Sequence, residues 1–172
     1  MKKQSSDGGE TVAEGVRKYI SFKLGDEAYG IELAKLRELI GLIESTRLPR
    51  AKPFIHGLIN LRGKVIPVVD LRVKFGMSRA EPTSQSVIIV VQLQSGGQGV
   101  TTGVLVDEVL EVCALRAHEI EPAPALDDRM DTSFIEGVGK VGNRVVFLLD
   151  IDRILSREDE SPRHAGRAEP PC

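Results

Sequence analysis

Apolar and polar residues alternate along much of this chain with a period of two, the signature of half-buried strands. Ile20, Phe22 and Leu24 fall on one side of a first strand, with Ser21 and Lys23 on the other. Gly25-Asp26 makes a turn, and Ala28 to Leu33 returns as a second strand. Leu36, Leu39, Ile40 and Ile43 follow at a spacing that fits a helical turn or a strand equally well, and we read a strand. Leu48-Pro49 and Lys52-Pro53 bracket a loop, because each proline disfavours helix in the residue before it. Phe54 to Phe75 then reads as two strands closed by a turn at Arg62-Gly63-Lys64. Pro67 lacks an N–H, which places its strand at an edge or beside a bulge. Asp70 is suited to cap a short helix. Residues 76–86 are the first break in the apolar pattern and the best internal boundary. Val87 to Leu93 is the strongest strand and ends at Gly96-Gly97. Val100 to Val106 and Val109 to Leu115 continue as strands, and Pro122 and Pro124 open a loop to about Thr132. Phe134 to Val141 and Arg144 to Leu149 form a last hairpin around Gly142-Asn143, a good two-residue turn. Ile151 to Leu155 is a short closing helix.

The pattern also repeats. Shifted by 80, Phe54-Ile55 meets Phe134-Ile135, Gly57 meets Gly137, and Val69-Asp70-Leu71 meets Leu149-Asp150-Ile151. Shifted by 73, Gly30-Ile31 meets Gly103-Val104, Leu36 meets Val109, and Glu38-Leu39 meets Glu111-Val112. The order of matches is the same in both halves, and fixed-period similarity settles architecture. The expected fold is all-β, with two related units of about five strands closing as barrels to hide their edges. The first is expected over roughly 17–83 and the second over roughly 84–150, with ends that can cross between barrels. Function is sought where the copies disagree. Asn60 meets Lys140, Arg62 meets Gly142 and Gly63 meets Asn143, so only the first hairpin carries an amide and a guanidinium. Arginine offers five donors in a rigid fork, which suits an acceptor-rich partner.

Composition narrows the function. Apolar residues make up 41% of the chain, there is no Trp, and aromatics are only 4%, so the core rests on Val, Ile and Leu packing. A net charge of −2 argues against nucleic acid as a partner. Cys113 sits in an apolar run and Cys172 is the last residue, which frames neither a disulfide scaffold nor a metal site. No apolar run approaches the roughly 18 residues of a membrane span, so no direct membrane insertion is expected. Residues 1–16 and 156–172 are polar and read as a disordered arm and tail around an ordered region at 17–155. His56, His118 and His164 have no partner at a telling spacing, and Gly96-Gly97-Gln98-Gly99 lacks the residues of a phosphate loop. The expectation is a binding module with no catalytic residues, no metal and no cofactor.

FIHGLINLRGKVIPVVDLRVKF, with YISFKLGDEAYGIELAKLRELI, GVLVDEVLEV, IEPAP and IEGVGKVGNRVVFLLDIDRIL in that order, resembles the CheW family of bacterial chemotaxis coupling proteins. The likeness covers about residues 17–155. It implies two SH3-like five-stranded β-barrels. It also implies an adaptor, cytoplasmic and associated with membrane receptor arrays, between the cytoplasmic tip of methyl-accepting chemoreceptors and the regulatory domain of the histidine kinase CheA. The residues that match the family's receptor-binding positions are Leu36, Glu38, Gly57, Asn60 and Arg62. In the family the receptor tip docks between barrels. His56 stands where the family often has a lysine. The alternative within the family is a coupling protein for gliding, pili or development.

Overall fold

A computed structural model describes residues 15–95, 98–123 and 132–155. The arm expected over 1–16 lies outside them save for its last two residues, and the tail over 156–172 lies outside altogether. The chain forms two sheets and a few short helices. In order, the strands are β1 (Val16–Leu24), β2 (Glu27–Glu32), β3 (Leu36–Gly41), β4 (Ile55–Leu61), β5 (Lys64–Asp70), β6 (Val87–Ser95), β7 (Gln98–Val106), β8 (Glu108–Arg116), β9 (Ile120–Glu121), β10 (Ile135–Val141) and β11 (Arg144–Leu149). A helix α1 (Leu71–Lys74) follows β5, and a second, α2 (151–155), follows β11. The segment from Leu36 is the expected strand, preceded by one 3-10 turn, Leu33–Lys35.

The two halves of the sequence trade strands. One sheet has the order β8-β1-β2-β11-β10-β9 and the other β3-β6-β7-β5-β4. Accordingly, among the described residues, one compact unit joins 15–35 with Glu108–Leu149, and the other joins Leu36–Asp107 with 150–155. The segment 76–86, expected as the internal boundary, is a connection inside the second unit. The repeat is nonetheless exact in register. β4 and β5 pair Gly57 with Val68 and Leu61 with Lys64, and β10 and β11 pair Gly137 with Leu148 and Val141 with Arg144, with a bulge at the same place in each. Each sheet also contains one parallel pair that joins strands from different halves, β11 with β2 and β5 with β7.

Each unit packs its own core. Tyr19, Ala28, Cys113, Leu115, Val146 and Leu148 fill the first, and Ile59, Ile66, Val68, Ile88, Val90 and Leu105 fill the second. Cys113 behaves as the expected small hydrophobe, its thiol pKa pushed up by burial and by the nearby Glu111. One strand assignment needs correction and another is narrowed. β1 is not half-buried: Tyr19, Ile20, Ser21 and Phe22 are all buried. Ser21 survives there because it lies at a bulge against β8, donating to the Glu111 carbonyl at 2.9 Å while its hydroxyl accepts from the Glu111 N–H at 3.2 Å. Pro67 is on no edge strand, since β5 pairs on both sides, but it does lie beside a bulge, the β4–β5 register shift between Ile55 and Gly57. It is tolerated because the β5–β7 ladder begins one residue later, at Val68, so no bond on that side needs its N–H.

A polar knot fastens the segment 76–86. Asp70, expected as a cap, accepts the Arg72 N–H at 3.1 Å and pairs with Arg79 at 3.6 Å while almost fully buried. Arg79 also donates to the Pro53 carbonyl at 2.7 Å. Arg72 donates to the Ser78 carbonyl at 3.0 Å and pairs with Asp107 at 2.7 Å. Asp150 repeats the capping role for α2, accepting the Arg153 N–H at 3.1 Å. Ile151, Ile154 and Leu155 are buried, so this helix is integral to the fold.

Candidate functional site

The five residues singled out above all lie in the second unit, on β3, on β4 and in the β4–β5 turn. β3 and β4 occupy opposite ends of the sheet order, and the Arg62 guanidinium spans from the turn to the Glu38 carboxylate on β3. The pair sits in the open: the Arg62 side chain is 71% exposed and that of Glu38 29%. Water screens such a pair, so its worth to stability is small, about 0–1 kcal/mol. It does organise a surface. A shallow cleft of about 310 Å³ opens beside it, floored by Leu61, Ile66 and Val90 and rimmed by Arg37, Lys64 and Thr101. Leu39 on β3, and Leu42, Ile43 and Leu48 in the segment after it, are large exposed apolar residues of the same unit.

The turn has an unusual composition. Arg62 and Gly63 form a two-residue loop with φ of 51° and 87°. Positive φ at both positions marks a type I′ hairpin, where Asn-Gly or Gly-Gly is the usual choice. A non-glycine residue in the left-handed region pays a steric cost. The Asn60 carboxamide oxygen offsets that cost by accepting the Gly63 N–H at 2.9 Å. The corresponding turn of the other hairpin, Gly142-Asn143, has positive φ only at Gly142. The structure therefore divides the expected set. Arg62 and Glu38 present charge, whereas Asn60 holds the turn that displays Arg62. Leu36 is half-buried at the start of β3, paired with Val91 just before a bulge at Arg37.

Gly57 has a framework role that the sequence alone does not reveal. Its φ is 154°, and a Cβ there would lie 2.7 Å from the Thr46 carbonyl oxygen. Thr46 exchanges two backbone hydrogen bonds with Leu58, both 2.8 Å, which lays the segment after β3 onto β4. Since backbone cannot retreat without breaking those bonds, Gly57→Ala should cost roughly 2 kcal/mol. Chemical denaturation should show a lowered midpoint with an unchanged slope.

His56 is half-buried next to Gly57. Burial lowers its pKa, nearby Arg79 and Arg47 lower it further, and Asp70 opposes them. A histidine with a depressed folded pKa binds fewer protons folded than unfolded. Its contribution to stability is full above the unfolded value of about 6.5 and is lost as pH falls through that value toward the folded one. Denaturation midpoints measured between about pH 7.5 and 5.5 should therefore fall more steeply in the native protein than in His56→Gln.

Among the described residues no three His, Cys, Asp or Glu side chains group as a metal site, and no helix is long and apolar enough to cross a membrane. Sequence reasoning missed Thr46, Arg37, Lys64 and Thr101. Thr46 acts through its backbone and leaves no side-chain signal. Arg37 and Thr101 were accessible, because the repeat places Leu110 and Ala28 at their counterparts, whereas Lys64 meets another cation, Arg144, and so does not stand out.

Comparison with known proteins places the chain as a whole. The family model for the CheW-like domain matches residues 18–159. The chain is 38% identical over 151 residues to the chemotaxis protein CheW of Klebsiella aerogenes, covering 88% of this chain and 87% of the relative. It is 34% identical over 148 residues to the chemotaxis protein CheW of Rhizobium meliloti, covering 86% and 93% respectively. Its structure is similar to the crystal structure of the scaffolding protein TtCheW from Thermoanaerobacter tengcongensis, with a TM-score of 0.71 and 34% identity, over 80% of this chain and 91% of that one.

Proposed function

This chain belongs to the family of CheW-like domains, and on that premise we propose that it is a non-enzymatic scaffold of a bacterial chemosensory array. It couples the cytoplasmic tip of methyl-accepting chemoreceptors to the regulatory domain of the histidine kinase CheA, and so makes kinase activity answer to receptor state. It works in the cytoplasm, gathered at membrane-bound receptor arrays. The observation that carries this reading is the exposed Arg62–Glu38 pair, held across the second unit beside a cleft with an apolar floor. Charged groups at a rim fix register and orientation, while the apolar floor supplies binding energy. Leu36 and the exposed Leu39 extend the surface along β3. Gly57 and Asn60 serve the same surface indirectly, by seating the segment around Thr46 and by locking the Arg62 turn.

The test is reconstitution. Purified protein should co-sediment with receptor-containing membranes and raise CheA autophosphorylation in their presence. A protein that engages neither receptor membranes nor the kinase would overturn the assignment.

A further inference from the structure

The cleft beside the Arg62–Glu38 pair carries more charge than that pair needs. Its rim holds Arg37, Arg62 and Lys64 against the single carboxylate of Glu38, with Thr101 lining the same space. Three cations against one anion leave an excess of positive charge on a protein whose net charge is −2. The Arg62 guanidinium is engaged by Glu38, whereas Arg37 and Lys64 are exposed. Arg37 is displayed at the β3 bulge, between the Leu36 and Glu38 pairings with β6, and Lys64 opens β5.

The internal repeat supplies an independent comparison. In the first unit the counterparts of Arg37, Arg62, Lys64 and Thr101 are Leu110, Gly142, Arg144 and Ala28, so only one cation remains. The cleft beside Arg144 there is lined by Lys23 and Arg144 against Asp26 and Glu27, an even balance. The two clefts share only the Lys64/Arg144 and Thr101/Ala28 positions, so the cationic rim at Arg37 and Arg62 belongs to one copy alone. The needs of folding explain none of that difference, since both hairpins close in the same register.

We propose that Arg37 and Lys64 form a specificity-determining acid-binding subsite, which accepts a Glu or Asp carried next to an aliphatic residue on the docking helix of a receptor tip. This rests on the receptor-coupling reading above and names the chemistry it requires of the partner. The aliphatic side chain meets the floor formed by Leu61 and Ile66, and the carboxylate lies between the two exposed cations. Rim charges of this kind act on association rate, salt dependence and partner choice more than on total affinity. They also fall within reach of salt screening, because the Debye length is about 10 Å at 0.1 M.

The experiment is calorimetric titration of the full chain with a soluble receptor cytoplasmic-tip hairpin, from about 50 to 300 mM NaCl. The Arg37→Gln/Lys64→Gln variant should bind about five-fold more weakly at low salt and converge with the native protein at high salt. The charge-keeping Arg37→Lys/Lys64→Arg variant should restore most of the difference. Replacing the tip's carboxylates by amides should weaken binding to the native protein and leave binding to the Gln variant unchanged. Melting temperature and affinity for the CheA regulatory domain should not move in either variant. Native-like affinity and salt dependence in the Gln variant would overturn the subsite while leaving the coupling role intact. A native protein that binds no receptor tip would overturn both.

Discussion

Arg62→Glu is expected to abolish receptor binding while leaving the CheA contact in place. The substitution removes the guanidinium that reaches Glu38 and sets a second carboxylate beside the first. Like charges at that distance repel, and the new side chain also opposes any acidic group on the partner. A central arginine in an interface typically costs on the order of 2 kcal/mol or more when truncated. That is about a 30-fold loss of affinity before the added repulsion is counted. Folding should be little affected, since the native pair is mostly exposed and the Asn60–Gly63 hydrogen bond that holds the turn remains. The measurement is paired: affinity for a receptor-tip hairpin and affinity for the CheA regulatory domain, with a thermal melt as control. Equal loss of both partners, or native binding to the receptor tip, would contradict the assignment of Arg62.

Dividing the chain in its exposed loop should give two fragments that are unfolded apart and folded together. The cut lies between Thr83 and Ser84, both exposed. The fragment 1–83 keeps the β1–β2 and β4–β5 hairpins but loses β6, β7, β8 and β11, which supply every other neighbour of its strands. A lone two-stranded hairpin is marginal in water. The fragment 84–172 keeps β6–β7 and β9–β10–β11, while β8 loses its only neighbour, β1. Its buried residues Cys113, Leu115, Val146 and Leu148 lose Tyr19 and Ala28, which complete their core. Neither fragment should show cooperative unfolding, and an equimolar mixture should recover it as a heterodimer. Cooperative unfolding of either fragment alone would mean that each half of the sequence builds its own barrel. Denaturant titration with far-ultraviolet circular dichroism reads the outcome.

Much of this protein is legible in its sequence, for a local reason. Strand periodicity, turns at Gly25-Asp26 and Gly142-Asn143, and the caps at Asp70 and Asp150 depend on neighbours within a few positions. The repeat was legible as well, because both hairpins must place equivalent apolar residues toward a core in one register. That register made the odd residues visible, and Arg62 was found by standing where the other copy has Gly142. The residues matched to receptor binding all fall within one unit, on or beside β3 and β4. Their local roles needed the structure: Asn60 accepts the Gly63 N–H, and Gly57 leaves room for the Thr46 backbone.

What the tertiary structure alone decided is which strand meets which. The parallel pairs β2–β11 and β5–β7 join residues far apart in sequence, and a period of two says nothing about the identity of a strand's neighbour. The exchange of hairpins between halves, the burial of Ser21 and the place found for Pro67 all follow from those pairings. So does the meeting of Glu38 with Arg62, whose separation of 24 residues is closed by the curl of a sheet rather than by any local turn. Sequence by itself determined the elements, the repeat and the residue that breaks it. Only the assembled sheets brought Glu38, Arg62, Arg37 and Lys64 to one cleft, because backbone pairing between distant strands is a property of the whole chain.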